Sequence, residues 1–563
     1  MQHSTVLQQL SDVVGSGQLI TDSYKKAYYC KGFRVGHGDA LAVAVPQTLL
    51  QLWQVLQVCQ QNDTIILMQA SNTGVTGGST PHGDDYDRPV IVVSTRQIKG
   101  VQVIDNARQA IAFPGSTLTE LEAALKPHHK EPHSVIGSSC IGASVVGGIC
   151  NNSGGSLLQR GPAFTEKSLF ARINDAGELQ LINHLGIDLG ETPEAMLANL
   201  QAGSYTTGSA PDWAGKIWAD DYASVIKDVD AVTPTRFNGN PQYLHDSAGC
   251  AGKVIVFAVR LATFDASEQE DTFYLGTNDE QVLLALRRYL IENMEQLPVQ
   301  AEYIHRNAFR LTLRYARHML LSIRRLGPAA LPGLMAKKAR WDAWVKKLNL
   351  LPQNTIDKLI QLGNRITPSG IAPRLLSWHR RYEHHLMIKV AHSEVAQMHR
   401  LLTVFFSGHN GEWFHCDETE QRDAFLVRFG VGACTVFYCD AYGINTDQRL
   451  IAFDVALRRN DTQWRIELPA ELQAQVLEES CCGHFFCLVN HQDYILQPGV
   501  DGAQFKQAVL AYLDQRGAKY PAEHNIGHLY QASEEHQHHF HQLDPTNSCN
   551  PGIGKTSKNK HWA

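Results

Sequence analysis

Small residues crowd the run GSSCIGASVVGGICNNSGG, Gly137 to Gly155, more densely than a packed helix or strand can use. Glycine lacks the Cβ that holds a ligand off the main chain and enters positive φ freely, so successive N–H groups can converge on an anion. A second such run, QASNTGVTGGST from Gln69 to Thr80, follows the apolar stretch Ile65-Ile66-Leu67-Met68, which reads as a strand. Neither run continues into Gly-Lys-Ser/Thr, and neither reads GxGxxG opening a helix, which sets aside two familiar nucleotide-binding routes. The fold must therefore bring two stretches of bare backbone to one ligand, and the pairing implies a diphosphate-bearing cofactor.

The same runs, with Tyr29–Val43 (YCKGFRVGHGDALAV), Glu131–Ser144 (EPHSVIGSSCIGAS), Tyr520–Tyr530 (YPAEHNIGHLY) and Asp544–Lys558 (DPTNSCNPGIGKTSK), carry a family resemblance. They resemble the FAD-linked oxidoreductases of the vanillyl-alcohol-oxidase type and, within these, the bacterial quinone-dependent D-lactate dehydrogenases. The likeness spans most of the chain and is weakest near 200–235 and 310–364. It implies an α+β fold with a discontinuous FAD-binding domain, 1–262 completed by 512–563. A cap on an antiparallel sheet would take 263–309, 380–415 and 440–511, and a basic helical membrane-binding insert 310–379, with 416–439 as an optional part. It further implies noncovalent FAD, D-lactate as substrate, ubiquinone or menaquinone as acceptor, and a peripheral place on the cytoplasmic face of the bacterial inner membrane. The alternatives are a soluble FAD enzyme for another D-2-hydroxy acid, such as 2-hydroxyglutarate or glycolate, and a lipid-surface protein with a vestigial flavin fold.

Composition sets outer bounds. The 563 residues suffice for two or three domains, and 44% hydrophobic with 19% charged residues is ordinary for a globular protein. A net charge of −6 argues against nucleic acid as partner. The amino terminus shows no basic segment followed by a long apolar one, so the chain is expected to stay in the cytoplasm. No stretch has the roughly 18 to 20 uninterrupted apolar residues of a span, which leaves surface attachment as the membrane expectation. Twelve irregularly spaced cysteines read as reduced thiols. Cys481, Cys482 and Cys487, beside His484 and His491, lie in an apolar, strand-like stretch and are read as core packing.

Alternating short strands and helices fill the first 262 residues; Lys253–Phe264 reads as a central strand, and a second α+β unit follows from about Asp271. Between Arg310 and Lys347 ten Lys or Arg accompany a single acid, Asp342, and are interleaved with Leu, Ile, Met, Trp341 and Trp344. That is the chemistry of an interfacial helix on anionic lipid, although a solvated basic helix pair has the same composition.

Oxidising a 2-hydroxy acid needs a hydride acceptor, a base, a cationic clamp for the carboxylate and a group that polarises the hydroxyl. Histidine is the natural base. His524, with Glu523 in PAEHNIGH, matches the Glu-His signature by which the family places it. His384 and His385 open a strand and should point to opposite faces. In related dehydrogenases a histidine pair and this glutamate can hold a divalent metal, but the string His-x-Gly-Asp-Gly-Asn-x-His is absent around Glu383, so no metal ligand is assigned. Arg374 is the first candidate clamp, with Arg380, Arg381 and Arg306 unranked beside it. For FAD the resemblance implies Ala70, Ser71, Asn72, Thr73, Gly74, Gly78 and Ser79 at the pyrophosphate, Gly137, Ser144 and Gly154 opposite, and Val256 at the adenine. It places Asn550 and Lys555 near the ring or its tail. The tract His536 to His541 is read as a polar loop.

Overall fold

The computed structural model describes residues 2–134, 141–207, 214–266, 269–327, 330, 333–334, 337–338, 341 and 355–563. Gly137, and the part of the basic segment holding Arg340, Asp342, Trp344, Lys346 and Lys347, lie outside the described residues.

The first sheet contains β1 (Leu19–Ile20), β2 (Ala42–Ala44), β3 (Ile65–Gln69) and β4 (Val90–Ser94) in the order β1-β2-β4-β3. Strands β2, β4 and β3 run parallel. The crossover helix Leu49–Gln61 starts where Thr48 caps it, accepting from the N–H of Gln51, and buries Leu49, Leu52, Val55, Leu56 and Cys59. These recur every three or four residues, so one stripe faces the sheet. Beyond β3 the chain enters the loop 70–80, at the carboxyl end of a parallel strand, where ligands sit in α/β sheets.

The second sheet is antiparallel: β5 (Val101–Ile104), β6 (Gln109–Ala112), β8 (Ser168–Ile173), β9 (Leu179–Asn183) and β10 (Ile255–Ala262), ordered β5-β6-β10-β8-β9. Strand β10 is central and wholly buried, which explains its continuous apolar run. A short ribbon pairs β7 (Lys130–Glu131) with β11 (Phe264–Asp265).

The third sheet is the largest: β12 (Glu270–Thr277), β13 (Gln300–His305), β14 (His384–Ala391), β15 (Glu412–His415), β16 (Leu450–Ala456), β17 (Val476–His484) and β18 (Val489–Leu496). Its order is β15-β12-β14-β13-β17-β18-β16, antiparallel throughout. Alternation sorts its side chains between two cores. Phe273, Leu275, Tyr303, Leu386 and Ile388 pack with the helix Glu280–Asn293, whereas Tyr274, Ile304 and Met387 pack with the helices Arg306–Tyr315 and Glu418–Tyr442. The 25-residue helix Glu418–Tyr442 is the one described helix long and apolar enough to cross a membrane, yet 44% of its apolar window is buried in the protein.

The last segment returns to the first sheet, where Ile66 donates to the Ser548 carbonyl at 2.9 Å and Asn550 donates back to Ile66 at 3.0 Å. Within it the His536–His541 tract is not a loop. It lies in the helix Glu534–Leu543, capped by Ser533, with His536, Phe540 and Leu543 buried on one face at helical spacing. All described cysteines are free thiols.

Candidate functional site

Four polar residues cross four adjacent strands of the third sheet, on the face covered by helix Glu418–Tyr442. They are Glu302 on β13, His484 on β17, His491 on β18 and Asp454 on β16. Strand register puts them there, because Glu302 lies opposite His484 and His491 opposite Asp454, and opposed residues share a face. His484 is held between two carboxylates, its Nδ1 2.8 Å from Glu302 and its Nε2 2.9 Å from Glu523. Burial opposes its charge, but the carboxylates prevail and push its pKa up to about 9, so it is an imidazolium at neutral pH. Arg428 pairs with Glu302 at 2.8 Å, and the buried Arg236 pairs with Glu523 and donates to the Tyr222 hydroxyl at 3.0 Å. Burial pulls both carboxyl pKa values upward; these cations and His484 hold both below the usual range.

Asp454 fixes the turn that carries His524. Its Oδ2 accepts the N–H groups of Glu523 at 2.7 Å and His524 at 2.8 Å, and lies 3.3 Å from His524 Nδ1. The His524 side chain is 43% exposed, lines a large cavity and stacks on His491 at 5.5 Å. Desolvation lowers its pKa, partly offset by Asp454, so the ring is neutral near pH 7. With Nδ1 toward Asp454, Nε2 is the atom that can accept a proton. His484, His491 and Glu523 also bring three ligand atoms within 4.8 Å of one another, close enough for a divalent cation to take the place of the His484 proton.

The cavity measures about 1870 Å³. Ala70, Ser71, Asn72, Thr73, Gly74, Gly78, Ser79, Ser144, Gly154 and Val256 all line it, together with His524, Glu523, His484, His491, Glu302, Asp454 and Arg428. Of the residues expected at a dinucleotide, only Gly137 is outside the described set. Close approach explains two of the glycines. A Cβ on Gly74 would come within 2.9 Å of Asn525 Nδ2, and one on Gly154 within 2.7 Å of Glu523 Cγ. Asn550 ties the loops together, donating to the carbonyls of Gly78 at 2.9 Å and Ala251 at 2.7 Å. Its buried Oδ1, at the cavity wall, has no hydrogen-bond partner among the described residues. Two small-residue loops and an unfilled acceptor on one cavity suit a dinucleotide.

Several expected site residues lie elsewhere. His384 sits opposite His305, three residues along β13 from Glu302 and on the other face, where its Nδ1 meets the Tyr303 hydroxyl at 2.7 Å. His385 shares the face of Glu302 but lies under Phe309 in the core of the helices, fully buried. Burial pushes His384 down to about 4 and His385 well below its ordinary value. Arg374 points outward from the helix Pro373–Arg381, which turns Leu375 and Trp378 inward; it pairs with Glu420 at 3.6 Å and covers the Phe414 ring. Arg381 pairs with Glu412 and Arg306 with Glu383; neither of these, nor Arg380, lines the cavity. Lys555 is exposed and away from it, unlike Asn550. The residues missed are His484, His491, Glu302, Asp454, Arg236 and Arg428. His484 and His491 are separated by six residues, the separation in the family string, so spacing rather than letters was the usable signal.

A family model described as D-lactate dehydrogenase, membrane binding, matches residues 272–562, and one described as FAD binding domain matches residues 40–164. The quinone-dependent D-lactate dehydrogenase of Escherichia coli (strain K12) is 48% identical over 556 residues, 99% of this chain and 97% of that protein. The protein of the same name from Haemophilus influenzae is 46% identical, with 100% of each chain covered. Among solved structures, substrate-bound p-cresol methylhydroxylase shares the fold, with a TM-score of 0.59 at 13% identity over 99% of this chain and 97% of that one.

Proposed function

Because the chain belongs to the family of quinone-dependent D-lactate dehydrogenases, we propose that it oxidises D-lactate to pyruvate in this cavity and passes the electrons to a membrane quinone. FAD, held noncovalently by the loops 70–79 and 144–154 with Val256, supplies the hydride acceptor when bound. His524 takes the hydroxyl proton at Nε2, and Asp454 orients the ring and balances the imidazolium that results. Arg428, protonated His484 and, behind the wall, Arg236 offset the carboxylates of Glu302, Glu523 and Asp454, so the row as a whole does not repel an incoming acid, and Arg428 is its cavity-lining guanidinium. His484, whose two N–H groups are taken by Glu302 and Glu523, polarises the hydroxyl through the positive charge of its protonated ring.

The observation that carries this reading is the shared wall: the polar row across the sheet and the glycine-rich loops line one cavity. Anaerobic mixing of flavin-loaded protein with D-lactate and with L-lactate tests it. Bleaching of the visible flavin band by D-lactate is the expected result, and an unbleached band under both would refute it. The convergence of His484, His491 and Glu523 supports a second reading, with a divalent cation polarising the hydroxyl. The proton-based reading expects turnover to survive exhaustive chelation; loss on chelation with recovery on adding a divalent cation would replace it.

We take residues 1–262 with 512–563 as the cofactor unit, 263–309, 380–415 and 440–511 as the cap, and 310–379 as the part that meets an anionic membrane, at the cytoplasmic face. Leu359, Leu362 and Ile366, on the amphipathic helix Thr355–Ile366, are 62%, 55% and 78% exposed, which supports that placement.

A further inference from the structure

The cavity is large enough for more than one ligand. At 1870 Å³ it is well above the roughly 300–1,000 Å³ usual for one ligand. Its extra length follows one face of helix Glu418–Tyr442, where Phe425, Arg428, Phe429, Ala433, Val436 and Phe437 line it at the three- and four-residue spacing of a single stripe. Ala424, Val427, Cys434 and Thr435, on the opposite face, are buried against protein. From Phe425 the stripe passes Arg428, beside Glu302 and His484, and ends at Phe437, whose ring meets that of His318 at 4.7 Å. Met319 and Ile360 line the same cavity from the amphipathic helices Arg317–Leu326 and Thr355–Ile366. Nine residues of helix span about 14 Å, so the stripe joins the polar row to the helices that show apolar side chains outward. Past Arg428 the side chains that the helix contributes are all uncharged and suit a hydrocarbon, and Lys338, which also lines the cavity, is paired with Asp357 at 2.8 Å.

We propose that this stripe binds the prenyl tail of the quinone acceptor, with the quinone ring at the Arg428 end and the tail leaving between helices Arg317–Leu326 and Thr355–Ile366. The proposal rests on the acceptor being a membrane quinone, as inferred above. The overall transfer balances: D-lactate gives up two electrons and two protons on becoming pyruvate, and the quinone takes up two of each on becoming quinol. A lipid acyl chain shares the tail's chemistry and is the occupant to be distinguished.

The test uses flavin-loaded protein reduced with dithionite, so that no hydroxy acid enters. Reoxidation is followed with a decyl-tailed benzoquinone and with the same ring lacking the tail, each at limiting concentration. The tail should speed reoxidation by about tenfold or more in the native protein. In Ala433→Phe, which fills the stripe, the ratio of the two rates should fall toward one. A ratio near the native value in a flavin-replete variant would overturn the lane. A photoreactive decyl quinone, irradiated with the native protein, supplies a readout that needs neither turnover nor the variant. Labels should fall on 425–437, Met319 or Ile360 and be displaced by the decyl quinone but not by decanoate; labels elsewhere, or equal displacement by decanoate, would overturn it. Failure of D-lactate to bleach the flavin would strike the substrate reading and leave these results standing.

Discussion

His524 does its work through one partner, Asp454, and the two can be separated experimentally. His524→Ala should keep the flavin and lose about 10²–10⁴-fold in the rate of bleaching by D-lactate, measured by stopped-flow absorbance. Asp454→Asn keeps an acceptor for the two backbone N–H groups but removes the charge that partly restores the pKa of His524. The rate should fall, and the acidic limb of kcat/KM should move to lower pH, because His524 then holds its proton less tightly. An acidic limb that moves upward would show that Asp454 acts otherwise. Of these residues only the Glu-His pair was legible in the sequence. His484 and His491 were hidden because Phe485, Phe486, Cys487, Leu488 and Val489 around them belong to the core, and a stretch so apolar reads as packing. Glu302, Asp454 and Arg428 join them through strand register and a helix from distant parts of the chain, which no local pattern encodes. Arg374 was misread for the converse reason: residue type proposes a clamp, but the inward stripe of its helix decides where it points.

At the scale of elements, the short helix Val145–Cys150 and the turn after it place Gly154 against Glu523. Gly154→Ala would put a methyl 2.7 Å from Glu523 Cγ, too close for a carbon contact, and Glu523 has little freedom to yield while Arg236 and His484 grip its carboxylate. A displacement of about 1 Å at such a site costs on the order of 10²-fold in rate, so the variant should bleach slowly even where its flavin-to-protein ratio is normal. The helix Thr355–Ile366 makes a different prediction. Replacing Leu359, Leu362 and Ile366 together by Ser removes apolar contacts worth about 1.5–3 kcal/mol each when fully buried. The protein should then leave anionic vesicles in a flotation assay and still bleach with D-lactate; unchanged flotation would refute the membrane role of this face. Elements themselves were well marked in the sequence: β3, β4, β10 and the helix Leu49–Gln61 follow their hydrophobic periods. The helix Glu534–Leu543 escaped because its polar histidines and glutamines obscure a three-residue stripe that only its packing surface reveals.

Across the whole molecule, burial of neutral histidines sets how stability follows pH. His133, His384, His528 and His536 are 1%, 4%, 6% and 1% exposed. Burial pushes each of them down to about 4 from an ordinary 6.5. The unfolded chain therefore binds more protons than the native one between those values. The stability these groups allow is intact above about 6.5 and is lost as pH falls toward 4. His484 acts in the opposite sense: raised to about 9, it favours the fold fully below 6.5, and that contribution is gone once pH rises through about 9. A tenfold difference in proton affinity between the folded and unfolded chain is worth about 1.4 kcal/mol, so even two such groups matter against a net stability of about 5–15 kcal/mol. The melting temperature should therefore be highest between these limits, fall toward acid as several histidines charge together, and fall toward alkali as one loses its proton. His384→Asn removes one acid-titrating site without touching the cavity and should shallow the acid limb alone, whereas a mutant limb as steep as the native one would place the acid sensitivity elsewhere.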